Sequence, residues 1–69
     1  MKRKYNNGDI FTDSYHLSHK HGKKYIVIST HRQGATAMTC YNVMYLSDFE
    51  MHIYPEDVID CDTLVAYGE

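Results

Sequence analysis

Residues 24–30, with the sequence Lys-Tyr-Ile-Val-Ile-Ser-Thr, are the segment of the chain that most clearly predicts a β-strand. They are rich in β-branched and aromatic residues, which fit a pleated sheet. Side chains alternate between the two faces of a strand, so Ile26 and Ile28 share one face and Tyr25 and Val27 the other. We therefore expect a domain built mainly from strands.

Further strands are predicted on both sides of this segment. Residues 8–11 follow a polar start and indicate a short first strand, and residues 12–24 form a long polar loop without periodicity. A loop of this length in a small domain is typical of a binding loop. Residues 31–35 predict a turn, and residues 38–46 predict a strand with apolar residues on both faces.

The second half of the chain predicts a hairpin, a helical turn and a last strand. Ser47 and Asp48 form the tight turn of the hairpin. Residues 49–54 alternate, which predicts that Phe49, Met51 and Ile53 point into the core and that Glu50, His52 and Tyr54 point out. Residues 55–59 begin with proline and acids and predict one turn of 3₁₀-helix. Residues 63–66 predict the final strand.

This order of elements predicts an all-β fold, a five-stranded antiparallel barrel with one short 3₁₀ turn. A chain of 69 residues has room for one domain, residues 1–69, with an ordered core at about 8–66. The order resembles the SH3-like barrel. The resemblance places residues 12–24 at the RT-loop position, residues 31–36 at the n-Src loop, and residues 53–58 (IYPEDV) at the closing strand and helical turn.

The chain lacks the features with which SH3 domains bind proline-rich peptides. It has no tryptophan and no ALYDY-like run, and Asp57 stands where the helical turn usually has tyrosine. We therefore do not expect binding of proline-rich peptides. The chain also looks like the small barrels encoded in bacteriophage genomes.

Charge is distributed unevenly along the chain. Residues 1–34 hold all seven Lys and Arg and two acids, whereas residues 35–69 hold seven acids and no Lys or Arg. Such asymmetry indicates either two halves that pair with each other or a charged face offered to a partner.

The compartment is expected to be the cytoplasm. No stretch approaches the roughly 18 apolar residues that span a membrane, and no apolar segment follows the basic start as in a signal peptide. Cys40 and Cys61, which lack CxxC spacing, are expected to be free thiols.

Three histidines, His16, His19 and His21, lie within six residues of the long loop. Imidazole nitrogens bind Zn²⁺, Ni²⁺ or Cu²⁺, but a structural site usually adds a ligand from a distant element. We expect a solvated loop, no metal site and no cofactor, with a metal-binding loop as the lesser alternative.

The function predicted from these features is binding without catalysis. The sequence contains none of the common nucleophile, phosphate-loop or zinc-protease motifs. The predicted partner is another protein, which the chain regulates or inhibits. The predicted contact residues are Tyr15, His16, His19, Lys20, His21, Arg32 and Tyr54.

Two other functions remain open from the sequence. One is nucleic-acid binding, since basic residues neutralise phosphates and aromatic rings stack on bases. Its candidate residues are Lys2, Arg3, Lys4, Lys23, Lys24 and Tyr25. The other is a structural or assembly subunit that forms a homo-oligomer, because small barrels often complete a core by pairing.

Overall fold

The computed structural model describes residues 4–31 and 39–68, which form five strands and one helix. The elements are β1 (Ile10–Thr12), β2 (Lys24–His31), β3 (Cys40–Tyr45), β4 (Met51–Pro55), α1 (Glu56–Asp60) and β5 (Thr63–Ala66). The strands make one antiparallel sheet in the order β4-β3-β2-β1-β5. The all-β prediction with five antiparallel strands is confirmed.

The connections between neighbouring elements explain the strand order. β2, β3 and β4 follow one another as a meander, and β5 returns across the sheet to pair with β1. Gly8 N–H donates to Val27 O, which extends the contact of the first strand with β2. Helix α1 lies between β4 and β5 in the chain, and its Ile59 is buried in the core.

Inward-facing residues of the central strands make the core. Tyr25 and Val27 of β2 are buried, as their predicted face requires, whereas Ile26 and Ile28 lie on the opposite, more open face. The full set of buried residues in the core cluster is Phe11, Tyr25, Val27, Tyr41, Val43, Tyr45 and Ile59. Tyrosine rings thus supply much of the buried area, and each buried hydroxyl needs a hydrogen-bond partner.

The predicted orientation of β4 is wrong. Met51 and Ile53 are 54% and 47% exposed, whereas His52 and Tyr54 are half-buried. The cause is the β3–β4 register, in which Tyr54 lies opposite the buried Tyr41, because directly opposed residues share a face. Phe49, also predicted to point inward, is exposed in the turn before β4.

Several element boundaries also differ from the prediction, including those of β1 (Ile10–Thr12) and β4 (Met51–Pro55). The segment after Pro55 forms one and a half turns of α-helix and closes with a Cys61 N–H bond to Val58 O, where the sequence predicts a 3₁₀ turn. The strand predicted over 38–46 covers Cys40–Tyr45. Met38 is outside the described residues, and Leu46 belongs to the turn.

The two cysteines differ in exposure. Cys40 is buried on β3, Cys61 is exposed after α1, and neither forms a disulfide. Within residues 4–31 and 39–68, no helix is long and apolar enough to cross a membrane.

Candidate functional site

A groove of about 470 Å³ lies between the β1–β2 loop and helix α1. The loop forms one wall, the helix and the residues after it form the other, and the end of β4 forms the floor. We call it the loop–helix groove. It is lined by Asp13, Tyr15, Ser18, Tyr54, Asp57, Val58, Cys61 and Asp62.

Asp13 fixes the loop wall. Its carboxylate is 4% exposed and accepts hydrogen bonds from Tyr15 N–H (3.0 Å), Ser18 Oγ–H (2.9 Å) and Tyr45 O–H (3.0 Å). Its backbone closes the base of the loop, since Asp13 N–H donates to Lys23 O and Gly22 N–H donates to Asp13 O, both at 2.8 Å. The long loop is therefore held in one conformation beside the groove.

Tyr54 forms the floor. Its hydroxyl lies 2.5 Å from the hydroxyl of Tyr45, which in turn donates to Asp13. Its ring packs edge-on against Tyr25 and is stacked with His52. Burial raises the pKa of Tyr54, so the hydroxyl stays neutral and can donate or accept at physiological pH.

Asp62 joins the second wall to the sheet. One of its oxygens accepts a hydrogen bond from Tyr25 O–H at 2.5 Å, and the other accepts one from Ser14 N–H at 3.0 Å. These two bonds tie the segment after α1 to β2 and to the start of the long loop. Both walls of the groove are thus held by carboxylates that bond to core tyrosines.

Helix α1 presents the remaining part of the second wall. Pro55 precedes it, and Glu56 and Asp57 occupy its first turn, where negative charge is favourable. Ile59 is buried and anchors the helix to the core. Val58 is exposed on the groove side, and the Cys61 thiol donates weakly to Asp57 O at 3.4 Å.

The groove combines apolar walls with negative charge. Tyr15, Tyr54 and Val58 supply apolar surface to the groove, and Tyr15 is 58% exposed. The lining includes three carboxylates, Asp13, Asp57 and Asp62, and none of its eight residues is basic. This environment suits a ligand with apolar groups and a positive charge, and it disfavours phosphate.

The structure brings together two of the predicted contact residues, Tyr15 and Tyr54. The ring of His16 lies against Tyr15, whereas His19 and His21 are exposed loop residues outside the groove lining. Lys20 turns away to the β3–β4 hairpin, where it pairs with Asp48 and with Glu50 and lies over the ring of Tyr45. Arg32 is outside the described residues.

Sequence reasoning missed six of the lining residues: Asp13, Ser18, Asp57, Val58, Cys61 and Asp62. The run of acids after Pro55 was a signal for the second wall, because proline followed by acids is typical of the start of a helical turn. No sequence signal revealed the burial of Asp13, since aspartate is usually exposed.

The residues proposed for nucleic-acid binding lie in several parts of the chain. Tyr25 is fully buried and cannot stack on a base, so that candidate role is wrong. Lys4 pairs with Asp60 at 2.8 Å. Lys23 ends the long loop and Lys24 begins β2, and both side chains are exposed. Lys2 and Arg3 are outside the described residues.

The three loop histidines remain solvated. His16, His19 and His21 are exposed. Across residues 4–31 and 39–68, no three His, Cys, Asp or Glu side chains converge closely enough to hold a metal ion.

Comparisons of the chain with protein-family models, with curated proteins and with solved structures gave no match. The loop–helix groove is therefore the feature of the molecule that bears on its function.

Proposed function

We propose that the chain is a non-catalytic binding module that holds a segment of another protein in the loop–helix groove and so regulates or inhibits that protein. The observation that carries the proposal is the groove itself, with the exposed Tyr15 in its loop wall and both walls fixed by carboxylates that bond to core tyrosines. A fixed groove loses little conformational entropy when it binds, which favours affinity.

The lining supports a protein ligand over a nucleic acid. Tyrosine is enriched at protein interfaces because it joins a large apolar ring to a polar hydroxyl. Three carboxylates in the lining would repel a phosphate backbone, whereas they would attract a lysine or arginine side chain. The expected ligand is thus a peptide segment with apolar residues next to a basic residue.

Selection from a displayed random-peptide library tests this proposal. Peptides that combine a Lys or Arg with apolar neighbours should be enriched on the purified chain. Tyr15→Ala removes the exposed groove ring and should weaken the selected peptide at least about tenfold, the effect of a central interface residue. Tyr67→Ala is the matched control, since Tyr67 is exposed and outside the groove lining.

Cys61 provides an independent readout of where the peptide binds. It is the exposed cysteine and it lines the groove, whereas Cys40 is buried. A bound peptide should slow alkylation of Cys61, and prior alkylation should block the peptide. Equal loss of binding in the Tyr15 and Tyr67 variants, or unchanged Cys61 reactivity, would show that the groove is not the site.

A further inference from the structure

Strand β4 lies at one edge of the sheet and has a strand neighbour, β3, on one side only among the described residues. Tyr45 N–H donates to Glu50 O at 2.9 Å and Glu56 N–H donates to Thr39 O at 3.1 Å. Backbone groups of successive residues point to opposite edges of a strand, so the even-numbered residues face β3. The backbone groups of Met51 and Ile53 therefore point away from the sheet.

The side chains along this edge are apolar. Met51 and Ile53 lie on the outer face, about half exposed, and neither carries charge. Met51 continues a row across the sheet, since it lies opposite Met44, which lies opposite Ile26. Edge strands of soluble proteins are usually protected by charge, a bulge or a covering element, and an apolar edge is a template for another strand.

We propose that β4 pairs in antiparallel fashion with β4 of a second copy of this chain, about a twofold axis at His52. In this register Met51 lies opposite Ile53 of the partner subunit, and Ile53 lies opposite Met51 of the partner subunit. The outward N–H and C=O groups of Met51 then bond to those of Ile53 of the partner subunit. The reverse pair does the same, which gives four backbone hydrogen bonds. A second copy fits because a twofold axis pairs the same two residues twice.

The opposite edge of the sheet is a poorer place for such pairing. β5 has four residues, and its pairing with β1 shifts register between Ile10 and Phe11. An irregular strand holds a ladder less well than a regular one. The five residues of β4 pair with β3 in unbroken register.

The residues that pair in the dimer, Met51 and Ile53, are not part of the lining of the loop–helix groove. Tyr54 faces the groove, and its neighbour Ile53 lies on the other face of the strand. Each dimer therefore carries two grooves, so the inference goes beyond the proposed function and does not depend on it. Contact between two short edges buries less than the standard interface of about 1,600 Å², so we expect association that depends on concentration.

Sedimentation velocity from about micromolar to about millimolar chain concentration tests the dimer, in the range expected for weak association. The parent chain should shift from monomer to dimer as concentration rises. Ile53→Lys places charge on the β4 edge and should shift the midpoint at least about tenfold higher, because lysine protects edge strands. Val65→Lys is the matched control on β5, where Val65 is 48% exposed, and should leave the midpoint unchanged.

A parent chain that stays monomeric at the highest concentration would overturn the proposal. So would a dimer that Val65→Lys disrupts and Ile53→Lys does not. Circular dichroism of each variant confirms that the sheet is retained.

Disulfide trapping tests the register even if the lysine variant folds poorly. In a Cys61→Ser background, His52→Cys places two thiols opposite each other in a non-hydrogen-bonded pair, with Cα atoms about 4.5 Å apart. Ile53→Cys places the two thiols two positions out of register, so that their Cα atoms lie beyond the roughly 7 Å limit for a disulfide. Rapid oxidation to a dimer is expected for His52→Cys only, and equal or reversed rates would overturn the proposed register.

Discussion

Asp13 shows how one buried carboxylate can organise a long loop. It connects the backbone at Tyr15, the hydroxyl of Ser18 and the core hydroxyl of Tyr45. The same hydroxyl of Tyr45 contacts Tyr54 on the floor of the groove. The position of the exposed Tyr15 ring is therefore coupled to the hydrogen-bond network of the core.

Asp13→Asn should destabilise the fold and loosen the loop. The amide keeps one acceptor oxygen but places an N–H₂ donor where the carboxylate accepts hydrogen bonds. Leaving one buried donor unpaired costs about 1–3 kcal/mol, which urea unfolding measures directly. Asp57→Asn, at an exposed helix position in the same groove, should change stability by no more than about 0.5 kcal/mol.

Greater accessibility of the loop to protease should accompany the loss of stability in Asp13→Asn. If Asp13→Asn and Asp57→Asn unfold at the same urea concentration, Asp13 does not organise the loop.

At the scale of elements, local pattern predicted which segments are strands better than it predicted which way they face. The final strand, residues 63–66, follows from β-propensity, and alternation gives the two faces of β2 but not which of them is buried. β4 has the predicted alternation with the opposite orientation, because its pairing with β3 decides which set of residues faces the core. Tyr54 can face inward since its hydroxyl reaches Tyr45.

In the candidate site too, local pattern predicts some residues, whereas others depend on contacts between distant parts of the chain. Tyr15 and Tyr54 were predictable as large amphipathic residues at the loop and at the strand end before the helix. The burial of Asp13 and the contact of Asp62 with Tyr25 depend on residues 32 and 37 positions away in the chain. Such contacts arise only once the sheet has formed, and no local pattern encodes them.

The β3–β4 hairpin contains a strained position that can be relieved. Phe49 has a φ of 61° and is 70% exposed, so it adopts a left-handed conformation with little packing in return. This conformation costs a non-glycine residue about 1–2 kcal/mol, and asparagine tolerates it better. Phe49→Asn should therefore raise the thermal midpoint, by about 4–8 °C for each kcal/mol gained in a domain of this size.

Leu46→Asn is the control for Phe49→Asn. Leu46 is exposed in the same turn but does not have a positive φ. Among the described residues other than glycine, positive φ occurs at Phe49. This variant should give no gain in midpoint. A midpoint that falls in Phe49→Asn, or rises equally in both variants, would show that backbone strain is not what limits the hairpin.

In the whole molecule, ion pairs connect the basic first half of the chain with the acidic second half. Lys4 pairs with Asp60, and Lys20 pairs with Asp48 and Glu50, so each ion pair joins the basic first half to the acidic second half. The lysine partners lower the pKa of all three carboxyl groups. Much of the asymmetry thus serves contact within the chain, while Asp13, Asp57 and Asp62 leave the groove acidic.

Tyrosine–carboxylate bonds add to these contacts and predict an alkaline limit to stability. Four tyrosines donate to carboxylates: Tyr5 to Asp60, Tyr25 to Asp62, Tyr41 to Glu56 and Tyr45 to Asp13. Burial is the largest cause that raises the pKa of each of these hydroxyls above its ordinary value near 10, and the bond to the carboxylate raises it further.

A raised pKa in the folded state means that the fold retains protons which the unfolded chain releases above about pH 10. The stability that these tyrosines contribute is therefore complete below that pH and is lost as the pH rises further. We expect tyrosinate absorbance to increase mainly in one step that coincides with loss of the β-sheet circular dichroism signal. Tyr25→Phe removes one such group, so its stability should fall less steeply with alkaline pH than that of the parent. Ionisation of most of the seven tyrosines while the sheet signal persists would contradict the coupling between these hydroxyls and the fold.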